Sequence, residues 1–224
     1  MLQNNNVKGQ KGFGIDGFFA RIYDKTAKNY IMDQYKIWAH ELLKVIPQNA
    51  TLLEIAPGPG YLAIELAKAG IKSIAGLDIS ESLVEISKKN ALNSNVSIDF
   101  LLGDASQMQF SDNLFSHIIC TSAFKNFSAP LSALNEMYRV LKPGGTLWLC
   151  DMRKNVSNSD IDVYTDTMLK LKGFNSLITK ITFKYMLRKR AYTKESMLNL
   201  VSKTSFKVVK FEQNIMEFYI TLAK

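Results

Sequence analysis

The order of elements along this chain predicts an α/β fold, a doubly wound and mostly parallel sheet covered by helices on both faces. Three observations carry that expectation. Apolar runs of strand length alternate with segments of helical spacing between residues 51 and 150. Residues 51–70, TLLEIAPGPGYLAIELAKAG, join a strand, a turn rich in proline and glycine, and a helix in one stretch. Aspartates and a threonine close the strands, and in such sheets ligands bind beyond the strands' carboxyl ends.

The elements follow in order. The first dozen residues are polar, rich in Asn and Gly, and read as a mobile start. Phe18, Phe19, Ile22 and Tyr23 then fall at helical spacing. Ile31, Tyr35, Trp38, Leu42 and Val45 mark a clearer second helix, which Pro47 ends. Leu52, Leu53 and Ile55 form a first strand. In Ala56-Pro57-Gly58-Pro59-Gly60, two prolines and two glycines exclude regular structure. Helical spacing resumes from Tyr61 through Leu62, Ile64, Leu66 and Ala67, and Gly70 stops it. Such a turn is expected to aim free backbone N–H groups and the positive end of a helix dipole at a bound anion. Gly58 and Gly60 lack the side chains that would hold a ligand off the backbone.

Residues 71–77 give a second strand ending at Asp78, and Ser80 caps a helix that runs to Asn93. Residues 96–102 give a third strand stopped by Gly103-Asp104, residues 115–120 a fourth, and residues 130–141 a helix. Lys142-Pro143-Gly144-Gly145 reads as a tight turn into a fifth strand over residues 146–150. Residues 56–60, Asp78, Asp104, Thr121 and Asp151 then share one edge. From there the Asp78 carboxylate can accept both hydroxyls of a ribose, and Asp104 an exocyclic amine.

Composition bounds the rest. With 224 residues, 47% of them hydrophobic and 21% charged, the chain reads as one soluble globular domain. No apolar run reaches the ~18 residues of a membrane span, and the amino-terminal stretch lacks the apolar centre of a secretion signal. Cys120 and Cys150 make no disulfide framework, so a reducing cytoplasm is expected, with both thiols reduced and close together. His40 and His117 stand without neighbouring ligands, so no metal site is expected. Net charge is +8 and unevenly spread: residues 1–150 hold 14 basic and 13 acidic side chains, residues 151–224 hold 14 and 7. Seven basic residues and no acidic one fall between Lys170 and Arg190. That asymmetry suits a nucleic acid, a membrane surface, an acidic ligand or a solvated face.

Two nucleotide chemistries compete for the glycine turn. Gly58-Pro59-Gly60-Tyr61-Leu62-Ala63 fits a dinucleotide fingerprint with Asp78 about twenty residues on, and Tyr185 and Lys189 repeat a spacing found in some dehydrogenases. The neighbouring motifs decide otherwise. Leu53-Glu54-Ile55-Ala56-Pro57-Gly58-Pro59-Gly60 resembles the first motif of class I S-adenosylmethionine-dependent methyltransferases, with Ala56 replacing its first glycine. Gly76-Leu77-Asp78-Ile79-Ser80 resembles the acidic second motif and Gly103-Asp104-Ala105 the third. The segment from Phe110 to Phe115 is similar to the one before the family's fourth strand, with Ser116 where an Asp is usual. Glu136-Met137-Tyr138-Arg139-Val140-Leu141-Lys142-Pro143-Gly144-Gly145 is the most specific match. The segments around Phe18–Asp24 and Phe124-Lys125-Asn126-Phe127 resemble the quinone C-methyltransferase branch, whose usual form of the second carries Leu-Arg-Asn.

The resemblance implies a seven-stranded sheet of the Rossmann-like methyltransferase type, closed by an antiparallel hairpin near residues 207–213 and 217–222. Within one domain of residues 1–224, it divides the chain into a helical cap (1–47), a donor-binding core (51–151), a helical lid (152–190) and a closing helix with hairpin (191–224). It implies S-adenosylmethionine as cofactor and a small acceptor, apolar or aromatic. Tyr23, Glu54, Ala56, Gly58 and Gly60 would border the donor, with Tyr23 reaching the acceptor side. Asp78 would hold the ribose, Ile79 and Ala105 flank the adenine, Asp104 take its amino group, and Thr121 meet the methionine amine through its backbone. Lys125, Asn126 and Arg153 are acceptor-side candidates. Transfer from a sulfonium is an in-line displacement governed by placement of the reactants about 3 Å apart, so no catalytic acid or base is nominated. In the lid, Phe174, Leu177, Ile178, Ile181 and Tyr185 should form one apolar face, with Lys180, Lys184 and Arg188 on its flank. That flank keeps an RNA methyltransferase as an alternative, beside a non-catalytic donor-binding protein.

Overall fold

The computed structural model of the chain describes residues 15–224; the polar start expected to be mobile lies outside them. Strands β1 (Thr51–Ile55), β2 (Ser73–Asp78), β3 (Asp99–Leu102), β4 (Phe115–Thr121) and β5 (Leu141–Met152) run parallel. Strands β6 (Lys207–Gln213) and β7 (Glu217–Ala223) close the sheet as an antiparallel hairpin, in the order β3-β2-β1-β4-β5-β7-β6. Helices α1 (Gly17–Thr26) and α2 (Met32–Leu43), joined by a widened turn at Ala27–Ile31, form the cap. Helices α3 (Tyr61–Lys68), α4 (Glu81–Asn93) and α5 (Pro130–Val140) are the crossovers. The segment expected to form a lid holds α6 (Asn158–Val163), α7 (Gly173–Ile181) and α8 (Arg188–Arg190), and α9 (Lys194–Val201) precedes the hairpin.

The central strands read as unbroken apolar runs because both faces of the sheet are covered. Side chains alternate between two cores. Leu53, Ile55, Ile118, Cys120, Leu147 and Leu149 pack towards Leu134, Met137 and Val201 of α5 and α9. Leu52, Ile119 and Cys150 pack towards Trp38, Leu62 and Leu66 on the other side. This alternation corrects the expectation that the two cysteines lie together. Cys120 sits opposite Leu149 and Cys150 opposite Thr121 on neighbouring strands, so the thiols point into different cores. Burial pushes both thiols well above their ordinary range.

Three boundaries differ from the sequence reading. β2 starts at Ser73 and β3 at Asp99. The apolar residues ahead of them close the preceding helices: the Ile71 N–H donates to Leu66 and the Val96 N–H to Ala91. β5 begins at Leu141, and the Lys-Pro-Gly-Gly turn is a bulge within it, because Leu141 faces Phe115 while Thr146 faces His117. A Cβ on Gly145 would lie 2.7 Å from the Ser116 carbonyl oxygen, so that bulge requires glycine there. Among the described residues no helix is long and apolar enough to cross a membrane, and no group of His, Cys, Asp and Glu could hold a metal ion.

Candidate functional site

The turn after β1 is left-handed at alternate residues, with φ of 55° at Ala56, 56° at Gly58 and 82° at Gly60. The two glycines serve different ends. A Cβ on Gly58 would stand 3.2 Å from the Tyr23 ring, so its absence keeps a strip of backbone open beside that ring. A Cβ on Gly60 would stand 2.7 Å from the Phe100 ring and 3.0 Å from Ser87. Gly60 is therefore required by the packing of α4 and β3 against the turn, and it is not among the residues lining the cleft.

The expected free N–H groups are engaged by the chain itself. Gly58 and Ser80 donate to the two oxygens of Asp78, each at 3.0 Å. Ala63, in the first turn of α3, donates to Glu54 Oε2 at 3.1 Å. Ala56 and Gly60 donate to the carbonyls of Leu77 and Pro57. An anion-binding turn is thus replaced by one already capped with carboxylates. Glu54 is fully buried beneath it and lines no cavity. Burial pushes its carboxyl up to about 8, against the Ala63 hydrogen bond and with help from the Asp78 charge. Burial also raises the Asp78 carboxyl, outweighing three backbone hydrogen bonds that lower it.

Two joined cavities open above the carboxyl edge. The first, about 270 Å³, is lined by Ala56, Gly58, Asp78, Ile79, Asp104, Ala105 and Thr121, with Tyr23 and Asn126 over them. Asp104 is fixed by the backbone N–H and hydroxyl of Ser106, at 2.7 and 2.8 Å. The second, about 400 Å³, is walled by Tyr30, Ile31, Tyr35 and Trp38 of the cap and by Tyr164, Ile178, Phe183 and Leu187 of the lid. Lys125, Met152 and Glu217 also line it. Tyr23, Ala56, Thr121, Ser122 and Asn126 border both cavities. Ser122, like Ala56, holds φ of 55°, so two left-handed non-glycine residues meet at this junction.

The structure therefore brings together most of the residues nominated from sequence, and leaves out Glu54, Gly60 and Arg153. Arg153 turns away because its guanidinium donates to the Ile215 carbonyl at 2.8 Å and its N–H to Met216, bracing the β6–β7 turn. Lys125 lines the second cavity, yet its ammonium is held 2.8 Å from Asp151, with both side chains buried, and also donates to the Ser122 carbonyl. The Asp151 carboxylate further accepts the N–H groups of Lys125 and Met152.

Sequence reasoning missed the ties that place Tyr23. Asp16 caps α1 and also accepts from the Ser80 hydroxyl and the Ser82 N–H. Asp24 accepts from the Tyr61 hydroxyl at 2.9 Å and the Asn90 amide at 3.0 Å. An acidic residue at each end of a short apolar helix was the available signal. Glu217 was missed as well, since a lone acid opening the strand EFYITLA reads as solvent-facing.

The lid corrects two expectations. Of the five residues assigned to its apolar face, only Ile178 lines a cavity; Phe174, Leu177, Ile181 and Tyr185 are 74, 56, 47 and 58% exposed. Phe174, Leu177 and Ile181 lie on the outer side of α7, and it is Phe183 and Leu187 of the widened turn at Thr182–Leu187 that line the second cavity. The two lysines of the basic row face the protein's own acids, and its arginine faces neutral oxygens. Lys180 pairs with Asp166 at 2.8 Å, Lys184 with Asp162 at 2.6 Å, and Arg188 donates to Val156 and Asn158.

Comparison with known proteins agrees with this geometry. A family model described as a methyltransferase domain matches residues 53–149. The chain is 31% identical over 170 residues to the ubiquinone/menaquinone biosynthesis C-methyltransferase UbiE of Neisseria meningitidis, covering 70% of this chain and 69% of that one. It is 29% identical over 150 residues to the demethylmenaquinone methyltransferase of Staphylococcus haemolyticus, where the match spans 65% of this chain and only 62% of the relative. Among solved structures, a Methanococcus maripaludis protein provisionally assigned as an S-adenosyl-L-methionine-dependent methyltransferase superposes with a TM-score of 0.74. That likeness covers 96% of this chain and 95% of the other at 23% identity, and is one of fold.

Proposed function

The chain belongs to the class I S-adenosylmethionine-dependent methyltransferases, and from that premise we propose that it transfers a methyl group from S-adenosylmethionine to a small apolar, aromatic acceptor. The observation that carries this reading is the sign of the charge around the first cavity. Asp78 and Asp104 stand on its wall, the turn's N–H groups are engaged, and Arg190 is the one basic side chain lining it among the described residues. A dinucleotide diphosphate would meet carboxylates there, with the Gly58 and Ala63 N–H groups already donated to Asp78 and Glu54. A ligand carrying ammonium and sulfonium charges suits the same wall.

The residues present fit that donor. The strip of backbone at Gly58, which a Cβ would fill, admits a thin chain. Asp78 is placed for ribose hydroxyls, and Ile79, Ala105 and Asp104 for a flat base with an amino group. When bound, S-adenosylmethionine supplies an electrophilic methyl group on a positively charged sulfur. Tyr23 and Asn126 stand at the junction of the cavities, where they border both ligands and exclude water between them.

The second cavity supports the acceptor class, since Tyr30, Tyr35, Trp38, Tyr164 and Phe183 offer flat apolar surfaces. The quinone-type substrates in the names of the two relatives are of that kind. The lid lysines that raised the RNA alternative are paired with Asp162 and Asp166, which favours the small acceptor. Free buried thiols at Cys120 and Cys150 suit a reducing compartment such as the cytoplasm.

Calorimetry with S-adenosylmethionine, S-adenosylhomocysteine and NAD tests the reading. Both sulfur ligands should bind and NAD should not. Asp78→Ala should weaken donor binding by ~10- to 100-fold, the effect of losing hydrogen bonds to a charged group. Tight NAD binding without S-adenosylmethionine binding would overturn it.

A further inference from the structure

Glu217 is a buried carboxylate that donor binding does not use. It opens β7, which runs antiparallel, so this first residue lies beside Met152 at the carboxyl edge of the parallel strands. It is 8% exposed and lines the acceptor cavity, the one carboxylate on that wall among the described residues. No described cation stands within ion-pair distance of it. Lys125, the cation on the same wall, is already held by Asp151. The Tyr219 hydroxyl donates to Glu217 Oε2 at 2.7 Å and itself accepts from Asn214 at 2.9 Å. Asn214 Oδ1 in turn takes the N–H groups of Met216 and Glu217, at 2.8 and 2.7 Å. The hairpin turn thus fixes the position of the carboxylate.

A buried carboxylate without a counter-charge is unfavourable, and an apolar residue of similar size is often as stable or more so. Burial accordingly raises the Glu217 carboxyl, against hydrogen bonds that lower it. Packing gives no reason for an acid beside Trp38, Tyr164, Met152 and Met216. Ligand recognition does, because a carboxylate has about four lone-pair positions, and the Tyr219 hydroxyl, the Asn214 amide and the Cys150 thiol take up three at most.

We propose that Glu217 selects the acceptor: its carboxylate takes a hydrogen bond from a hydroxyl or N–H carried on a flat apolar ring. The cavity then prefers a ring bearing a free donor over the same ring with that donor capped. Lys125 does not substitute for it, because an ammonium donates and cannot accept. The acceptor's role rests on the methyltransferase reading, while the selectivity itself is a property of binding and is measured without turnover.

The probes are 2-naphthol and 2-methoxynaphthalene, titrated against the full chain by equilibrium dialysis. The wild-type protein should prefer 2-naphthol by ~10- to 100-fold. In Glu217→Leu that preference should fall to about 2-fold or less, because no acceptor group remains. In Glu217→Gln, whose amide oxygen still accepts but carries no charge, it should fall about 5-fold. Calorimetry with S-adenosylhomocysteine reports whether each variant keeps its fold. Should Glu217→Leu fail that control, Glu217→Gln decides. Equal binding of the two probes to the wild type, binding of neither, or an unchanged preference in the variants overturns the proposal. Absence of S-adenosylhomocysteine binding to the wild type would strike the methyltransferase reading instead, whatever the naphthol preference.

Discussion

Ala56 occupies a conformation that suits glycine. Its φ is 55°, it lines both cavities, and it stands where the family motif has its first glycine. A left-handed L-residue is strained by roughly 1–2 kcal/mol, while glycine loses about 0.5–1 kcal/mol more in backbone freedom. Ala56→Gly should therefore leave stability within about 1 kcal/mol of the wild type, or raise it, with donor affinity kept. Urea unfolding checks this, and a loss above about 2 kcal/mol would mean the methyl group is needed for packing. Glu54 makes a second residue-scale prediction. Its folded carboxyl is raised from 4.5 to about 8, so between those values the folded chain keeps a proton that the unfolded chain has released. Its contribution to stability is fully present below 4.5 and is lost as pH rises towards 8. Glu54→Gln should keep the hydrogen bond from Ala63 and remove that slope. Urea midpoints near pH 5 should nearly coincide, whereas near pH 8.5 the variant should be the more stable by a few kcal/mol. A wild type whose stability rises over this window relative to the variant would contradict the assignment.

Individual elements were legible where one physical signal was enough. The first, fourth and fifth strands announced themselves because burial on both faces makes them continuously apolar. The roles of Gly58 and Gly60 could not be separated, since the difference lies with Tyr23 and Phe100, which the fold brings in from other elements. Ile71 and Val96 look like strand residues by hydropathy, and only the direction of their N–H groups assigns them to helix ends. The lid was misread because periodicity puts Phe174, Leu177 and Ile181 on one side of α7 without telling which side meets the rest of the fold, and that side is exposed. Lys125 read as an acceptor-side charge because its partner Asp151 comes from the next strand over. That pair carries a prediction at this scale. Lys125→Met should cost ~3–5 kcal/mol, because Asp151 is left buried without its cation. Asp151→Asn in the same chain should recover part of it, since the amide oxygen can still accept a backbone N–H. Chemical denaturation of the two single variants and the double variant gives the coupling, and strictly additive losses would show that the two side chains act independently.

At the scale of the molecule, three segments distant in sequence meet over one edge of the sheet. The cap arrives through Asp16 and Asp24, the lid through Leu187 and Arg190, and the floor is the set of turns after β1, β2, β3 and β4. A ligand in the first cavity touches all three at once, so its binding should couple them. At a concentration near 100 times its dissociation constant, a ligand stabilises the state that binds it by ~2.7 kcal/mol. Openings that break the cleft should be suppressed by up to that amount, while openings elsewhere should not. The helices of cap and lid have exposed apolar faces and sit at the surface, so they are expected to exchange by such local openings in the free protein. Saturation with S-adenosylhomocysteine should then slow amide hydrogen exchange in α1 and in residues 182–190 together with residues 56–60. The outer strand β6 lines neither cavity and exchanges by fraying at the sheet edge, so its rates should stay as they were. Protection confined to residues 56–60, with cap and lid unchanged at saturation, would mean that the two helical segments do not close on the donor.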